Sequence, residues 1–174
     1  MKFEFKNLDE VTRKLMLDEV NLDIVSKQLY LSKRFNDTGE KLYPKILTKA
    51  LTSGDEQSLA DDLKQYNCFK SHEERKTKTG VTQVKVPETA NTTFAESEFN
   101  RFYIRALCLR AIEAKQLLTV YRARSSDNPR PESEMMIGSK VDPNKLLDDL
   151  RRNIGFETTL GLPAGPNSGL TINL

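Results

Sequence analysis

The stretch "TFAESEFNRFYIRALCLRAIEAK", Thr93 to Lys115, constrains this chain more than any other. Thr93 and Glu96 have capping-box spacing, T-F-A-E, which predicts a helix start. Phe99, Phe102, Tyr103, Ala106, Leu107, Leu109 and Ile112 then recur at helical spacing over about 94–115. An apolar face that wide needs cover on several sides, so this helix is expected to be the centre of the domain. Phe102 and Leu109 are expected in its core.

The other segments are weaker. Asn7, followed by Asp9 and Glu10, predicts one helix start, with Leu8, Val11 and Leu15 at helical spacing. A second helix is expected over about 22–34, stopped by Asn36-Asp37-Thr38-Gly39. Pro44 is expected to open a third, ending at Ser53-Gly54, and Ser53 with Glu56 a fourth through Leu59 and Leu63. In "KSHEERKTKTGVTQVKVPET", Lys70 to Thr89, Gly80 marks a turn and Val84-Lys85-Val86 alternates before Pro87. That is a β-hairpin or projecting loop with too few apolar residues to bury itself. "LLTVYRA", Leu117 to Ala123, reads as a strand, and a polar loop with Asn128-Pro129-Arg130-Pro131 follows. Asp142-Pro143 is an N-cap followed by proline at the first helical position, opening a helix through Leu150 that ends by Gly155.

The expected fold class is therefore α+β, mainly α. Its parts are a helical N-terminal region (1–66), a projecting hairpin or loop (67–92), a helix-strand-helix core (93–155) and an extended C-terminal arm (156–174), together one domain. No internal repeat is visible. The arm ends "GLPAGPNSGLTINL", with no charged side chain, and Leu170, Ile172 and Leu174 alternate with Thr171 and Asn173. One face of this end is apolar, so it is expected to be buried, either on a neighbouring subunit's sheet or on the chain's own 117–123 strand; the neighbour is the favoured choice.

Composition narrows the function classes. Among 174 residues, 30% are charged and 37% apolar, which suits a modest core with segments that pack elsewhere. No apolar run approaches the roughly 18 residues of a membrane span, and Met1-Lys2-Phe3-Glu4 has no signal-peptide pattern, so a protein made in the cytoplasm with no membrane partner is expected. Cys68 and Cys108 have no paired spacing and are expected to be buried reduced thiols. A net charge of +2 is too small to argue for nucleic acid by itself. Its distribution says more: eight of the eleven basic residues in 101–174 are arginine, against two of eleven in 1–66. Arginine suits forked contacts and interfaces.

The candidate interface residues are therefore Arg101, Arg105, Arg122, Arg124 and Arg130, together with Leu170, Ile172 and Leu174. Arg101 and Arg105 lie at i, i+4 near Glu98, as either a solvated helix face or a partner-binding stripe. Arg122 and Arg124 share a strand face about 7 Å apart. They form either an anion site or internal pairs with Asp127, Glu132 or Glu134. His72 is the single histidine and sits among charges, as a surface residue would. "GLPAGPNSG" lacks the Lys-Ser/Thr of a phosphate-binding loop. No Ser or Cys has an evident base and no carboxylates pair as acid and base, so no enzyme, cofactor or metal is expected. An aromatic-Arg strand before Glu-x-Glu also occurs in ADP-ribosyltransferases. Those folds place most of a β-sandwich between the two motifs, whereas Arg122 and Glu132 are ten residues apart.

"EFNRFYIRALCLRAIE", "VYRAR…NPRPESE" and "GLPAGPNSGL" resemble a group of uncharacterised proteins carried by tailed bacteriophages, over roughly residues 96–174. The resemblance implies a phage context. Phage proteins of this size include head, connector and neck subunits, so the expected function is a structural subunit of the virion. Its expected partners are copies of itself and portal or tail subunits, with possible contact to packaged DNA. The alternative is a phage-encoded protein that binds a host factor or nucleic acid through the arginines.

Overall fold

The central helix is present and closer to fully enclosed than its apolar face alone required. In the computed structural model, which describes residues 2–78, 80–126, 129–155 and 168–174, α4 runs Ala90–Glu113 and buries fifteen of its residues. Phe99, Phe102, Tyr103, Ala106 and Leu107 are buried as expected, while Leu109 is only half-buried. The helix starts earlier than the Thr93–Glu96 box, at an N-cap Thr89 with no side-chain bond. Glu96 is drawn away to Arg124, at 3.2 Å.

Three helices, not four, precede the hairpin: α1 (Glu10–Val25) and α3 (Glu56–Gln65) lie against α4, while α2 (Asp37–Ser53) packs on those two and reaches α4 through Tyr43 and Phe94. Asp9 rather than Asn7 caps α1, accepting from the Thr12 amide at 2.9 Å. Asn7 instead accepts from the Leu174 amide at 3.3 Å. The expected helix over 22–34 does not form. The amides of Gln28 and Leu29 both bond the Asp23 carbonyl, and Lys27 has φ of 58°, which ends α1. The Asn36 cluster starts a helix instead of stopping one: its side chain accepts from the Gly39 amide at 2.9 Å, and Pro44 lies inside α2. Gly39 is required there, because a Cβ would overlap the Cys68 carbonyl oxygen. The capping box of α3 is Asp55 with Ser58, two residues beyond the expected Ser53 with Glu56.

The hairpin is β1 (His72–Thr77) with β2 (Gly80–Lys85), antiparallel from His72↔Lys85 to Thr77↔Gly80. After α4 come β3 (Leu118–Arg122), a short α5 (Pro131–Met136) inside the expected polar loop, β4 (Lys140–Val141), α6 (Pro143–Arg152) and β5 (Leu170–Asn173). A second sheet has the order β4-β3-β5, all antiparallel. The fold is α+β and mainly helical, as expected.

The favoured reading of the C-terminal end is corrected here. β5 pairs with the chain's own β3, Val120 opposite Ile172 and Arg122 opposite Leu170. Leu170 and Ile172 are fully buried, and Leu174 is half-buried against the core. Gly169 makes the turn possible. Its φ is 66°, its carbonyl accepts from Ala123 and Arg124, and a Cβ would strike the Arg124 carbonyl. The stretch 156–167, which holds the rest of the expected arm, lies outside the described residues. The opposite terminus is tied to the same place. Glu4 donates to the Ala123 carbonyl at 2.9 Å, and Phe5 packs on Phe99 and Tyr103.

Deleting residues 168–174 removes two fully buried apolar side chains, Leu170 and Ile172, worth about 4–10 kcal/mol together, against a total of about 5–15 kcal/mol for a domain. The expected outcome is loss of cooperative thermal unfolding, read by circular dichroism. A truncated chain that melts like the parent would contradict the placement of β5.

Candidate functional site

Two of the candidate arginines face inward. Arg105 is 1% exposed and Arg101 2%, so neither forms a solvated face nor a partner-binding stripe. Arg105 lies against α1. Its Nε donates to Glu19 Oε2 at 2.7 Å, and Nη1 and Nη2 fork onto Asp23 at 2.6 and 2.9 Å. Arg151 of α6 bonds the same Glu19, with Nε to Oε2 at 3.1 Å. Burial disfavours the Glu19 carboxylate, but Arg151 and Arg105 outweigh it and hold the carboxyl below its ordinary range. The arrangement ties α4, α1 and α6 together.

Arg101 closes the C-terminal end of α6. Its Nη1 donates to the carbonyls of Leu150 and Asn153 at 3.3 and 3.0 Å, groups the helix end leaves without intrahelical partners. Glu98, one turn earlier and 2% exposed, lies 3.4 Å from its Nε, and burial raises the Glu98 carboxyl. Between them Asn100 reads β5: Nδ2 donates to the Leu170 carbonyl at 2.8 Å and Oδ1 accepts from Thr171 Oγ1 at 2.6 Å. These contacts organise the fold.

Arg122 and Arg124 are also engaged within the chain. Arg122 donates to Glu134 Oε1 at 2.5 Å and to the Ser168 carbonyl at 2.7 Å. This is the internal pairing rather than an anion site. Arg124 pairs with Glu96, as above, and its guanidinium lies 5.5 Å from the Phe3 ring centroid. Arg130 is exposed, at the N-cap of α5. The five therefore do not converge on one surface. Cys68 and Cys108 are free and buried, and burial raises both thiols. Among the described residues no group of His, Cys, Asp and Glu is placed to hold a metal ion, and no helix is long and apolar enough to cross a membrane.

The hairpin is the exposed element that projects from this body, although single apolar side chains such as Val25 and Met135 are exposed elsewhere. Every described residue from Glu74 to Gln83 is exposed, on both faces, and Val81 is 61% exposed. At the base, Arg34 forks onto the Glu73 carboxylate with two bonds of 2.7 Å, and Val84 is half-buried. Two grooves flank this base and share Phe69. One, about 240 Å³, has Lys64, Lys70, His72 and Lys85 beside Leu63 and Val86. The other, about 340 Å³, has Tyr30, Lys33, Arg34 and Glu73 beside Phe94. A two-stranded hairpin alone is marginal in water, so this one is suited to pairing with a further chain.

The sequence signal missed for the arginines was the acid pair. Glu19 and Asp23, like charges at i, i+4 on α1, repel unless a cation lies between them. Comparison with protein-family models, with curated proteins and with solved structures finds no match to this chain.

Replacing Arg105 by Met leaves Glu19 and Asp23 against a neutral side chain and is expected to cost about 3–5 kcal/mol at neutral pH by chemical denaturation. Because Glu19 titrates below its ordinary range when folded, its contribution is present above that range and is lost as pH falls through the depressed folded value. The gap between parent and variant should therefore narrow in acid. A gap of under about 1 kcal/mol at neutral pH would contradict a structural role for the network.

Proposed function

We propose that this chain is a structural subunit of a tailed-phage particle, at the head–tail connector, the neck or the head, working by assembly with other chains and not by catalysis. The phage context comes from the resemblance over residues 96–174. The observation that carries the assembly reading is the hairpin: exposed on both faces, it is an element whose backbone edges are open to a further strand. The buried arginines and β5, by contrast, are consumed within the chain, so neither the arginines nor the C-terminal end is proposed as the contact surface. Contact with packaged DNA through an arginine surface is not part of the proposal, since Arg101 and Arg105 point inward. The partners are copies of the chain and neighbouring virion proteins such as portal or tail subunits, and the location is the virion.

A protein that binds a host factor through the same hairpin is the second reading, and stoichiometry separates the two. Quantitative mass spectrometry of purified particles is expected to find the chain in many copies, at a fixed ratio to other subunits. A version lacking 72–85 should fold, with an unchanged melting temperature, yet be missing from particles. Absence of the intact chain from particles would end the structural reading.

A further inference from the structure

The two edges of the hairpin differ in what they can accept. Among the described residues β1 and β2 form a sheet with no third strand, so each has one free edge. The Val86 amide donates to the Ser71 carbonyl at 2.9 Å, and the register pairs Glu73 with Val84 and Arg75 with Thr82. By the alternation of an antiparallel ladder, the backbone groups of Thr82 and Val84 turn toward β1. Those of Val81, Gln83 and Lys85 turn outward. On β1 the outward groups belong to His72, Glu74 and Lys76.

When a strand pairs antiparallel with a copy of itself about a two-fold axis, opposite residues share a face and faces alternate with period two. One residue must then oppose its own copy. In the middle of β1 that residue is Glu74 or Arg75, and identical charges directly opposite are destabilising. In the middle of β2 it is Thr82 or Gln83, both neutral. Gly80 to Val84 carry no charge, so β2 lacks the lysine that commonly blunts an edge until Lys85.

We propose that the protein forms a two-fold dimer through the outer edge of β2, centred on Gln83. Gln83 then exchanges backbone hydrogen bonds with Gln83 of the second copy, Val81 lies opposite the second copy's Lys85, and Thr82 lies opposite its Val84. The one charge on the edge meets an apolar side chain and avoids its own copy. The four strands run β1-β2-β2-β1, which supplies the strands a lone hairpin lacks and covers Val81. This rests on the assembly reading above and names one of its contacts.

Sedimentation equilibrium of the full chain over a wide concentration range tests it, with paired variants on the two edges. Gln83→Pro removes an outward amide without touching the bonds of Thr82 and Val84 to β1, and Glu74→Pro does the same on the other strand. Gln83→Lys sets two ammonium groups together at the axis, and Glu74→Lys is its control. The parent and both Glu74 variants are expected to dimerise. Gln83→Lys should raise the dimer Kd about tenfold or more, and Gln83→Pro should abolish dimerisation, all with the parent's melting temperature. A parent that stays monomeric, or a dimer that survives both Gln83 changes, overturns the proposal. Either result can coexist with many copies per particle, which would leave the assembly reading standing.

Discussion

Burial of charge in α4 is the constraint on which the other elements depend. A guanidinium taken out of water costs several kcal/mol unless its donors are met. Arg105 therefore requires both carboxylates of α1, Glu19 and Asp23, and Arg151 of α6 shares the first of them. Arg101 is met in part, with Nη1 on the carbonyls that end α6 and Nε 3.4 Å from the Glu98 carboxylate, and Asn100 requires β5. One helix thus sets the positions of α1, α6 and the last strand through groups that have few other satisfactory arrangements. Apolar packing around Phe99, Phe102 and Leu107 supplies the larger part of the stabilisation, while the polar contacts specify which elements pack where.

The same logic closes the ends of the chain. Tyr121 donates to the Glu4 carbonyl and accepts from the Lys6 amide, at 2.9 and 3.0 Å, and Asn7 donates to the Tyr103 hydroxyl at 3.2 Å. β5 lies on the opposite edge of β3 from β4, and Leu174 returns to Asn7. Asn7 and Leu174 meet beside Tyr103 of α4, whereas the hairpin is exposed beyond its base.

Legibility followed the length scale of each cause. The α4 apolar face, the 117–123 strand and the Asp142-Pro143 helix start were readable because capping and periodicity are local. The hairpin was readable for the same reason, from Gly80 and the valine alternation. Long-range satisfaction was not readable: Asn36 looks alike as a stop or a start, and its amide and side-chain NH2 are held by the carbonyls of Cys68, Asn67 and Phe69 while its Oδ1 caps Gly39. Arg101 and Arg105 were misplaced because a charged residue at i, i+4 suggests solvent, although the apolar residues on every side of α4 left no solvent face for them. Leu170 and Ile172 were correctly expected to be buried, but a period-two pattern does not name the sheet that receives it.

The central claim is that α4 with its charge network forms a closed body and that the hairpin is held only at its base. Residue-resolved amide hydrogen exchange, at a dilution where the chain is monomeric, tests this most directly. The account predicts that amides from Phe99 to Leu107 exchange only through global unfolding, while those of Val81 and Gln83, which face no strand, exchange orders of magnitude faster. Hairpin amides as protected as those of α4 in the monomer would contradict it, because they would show that the body covers a strand edge this structure leaves open.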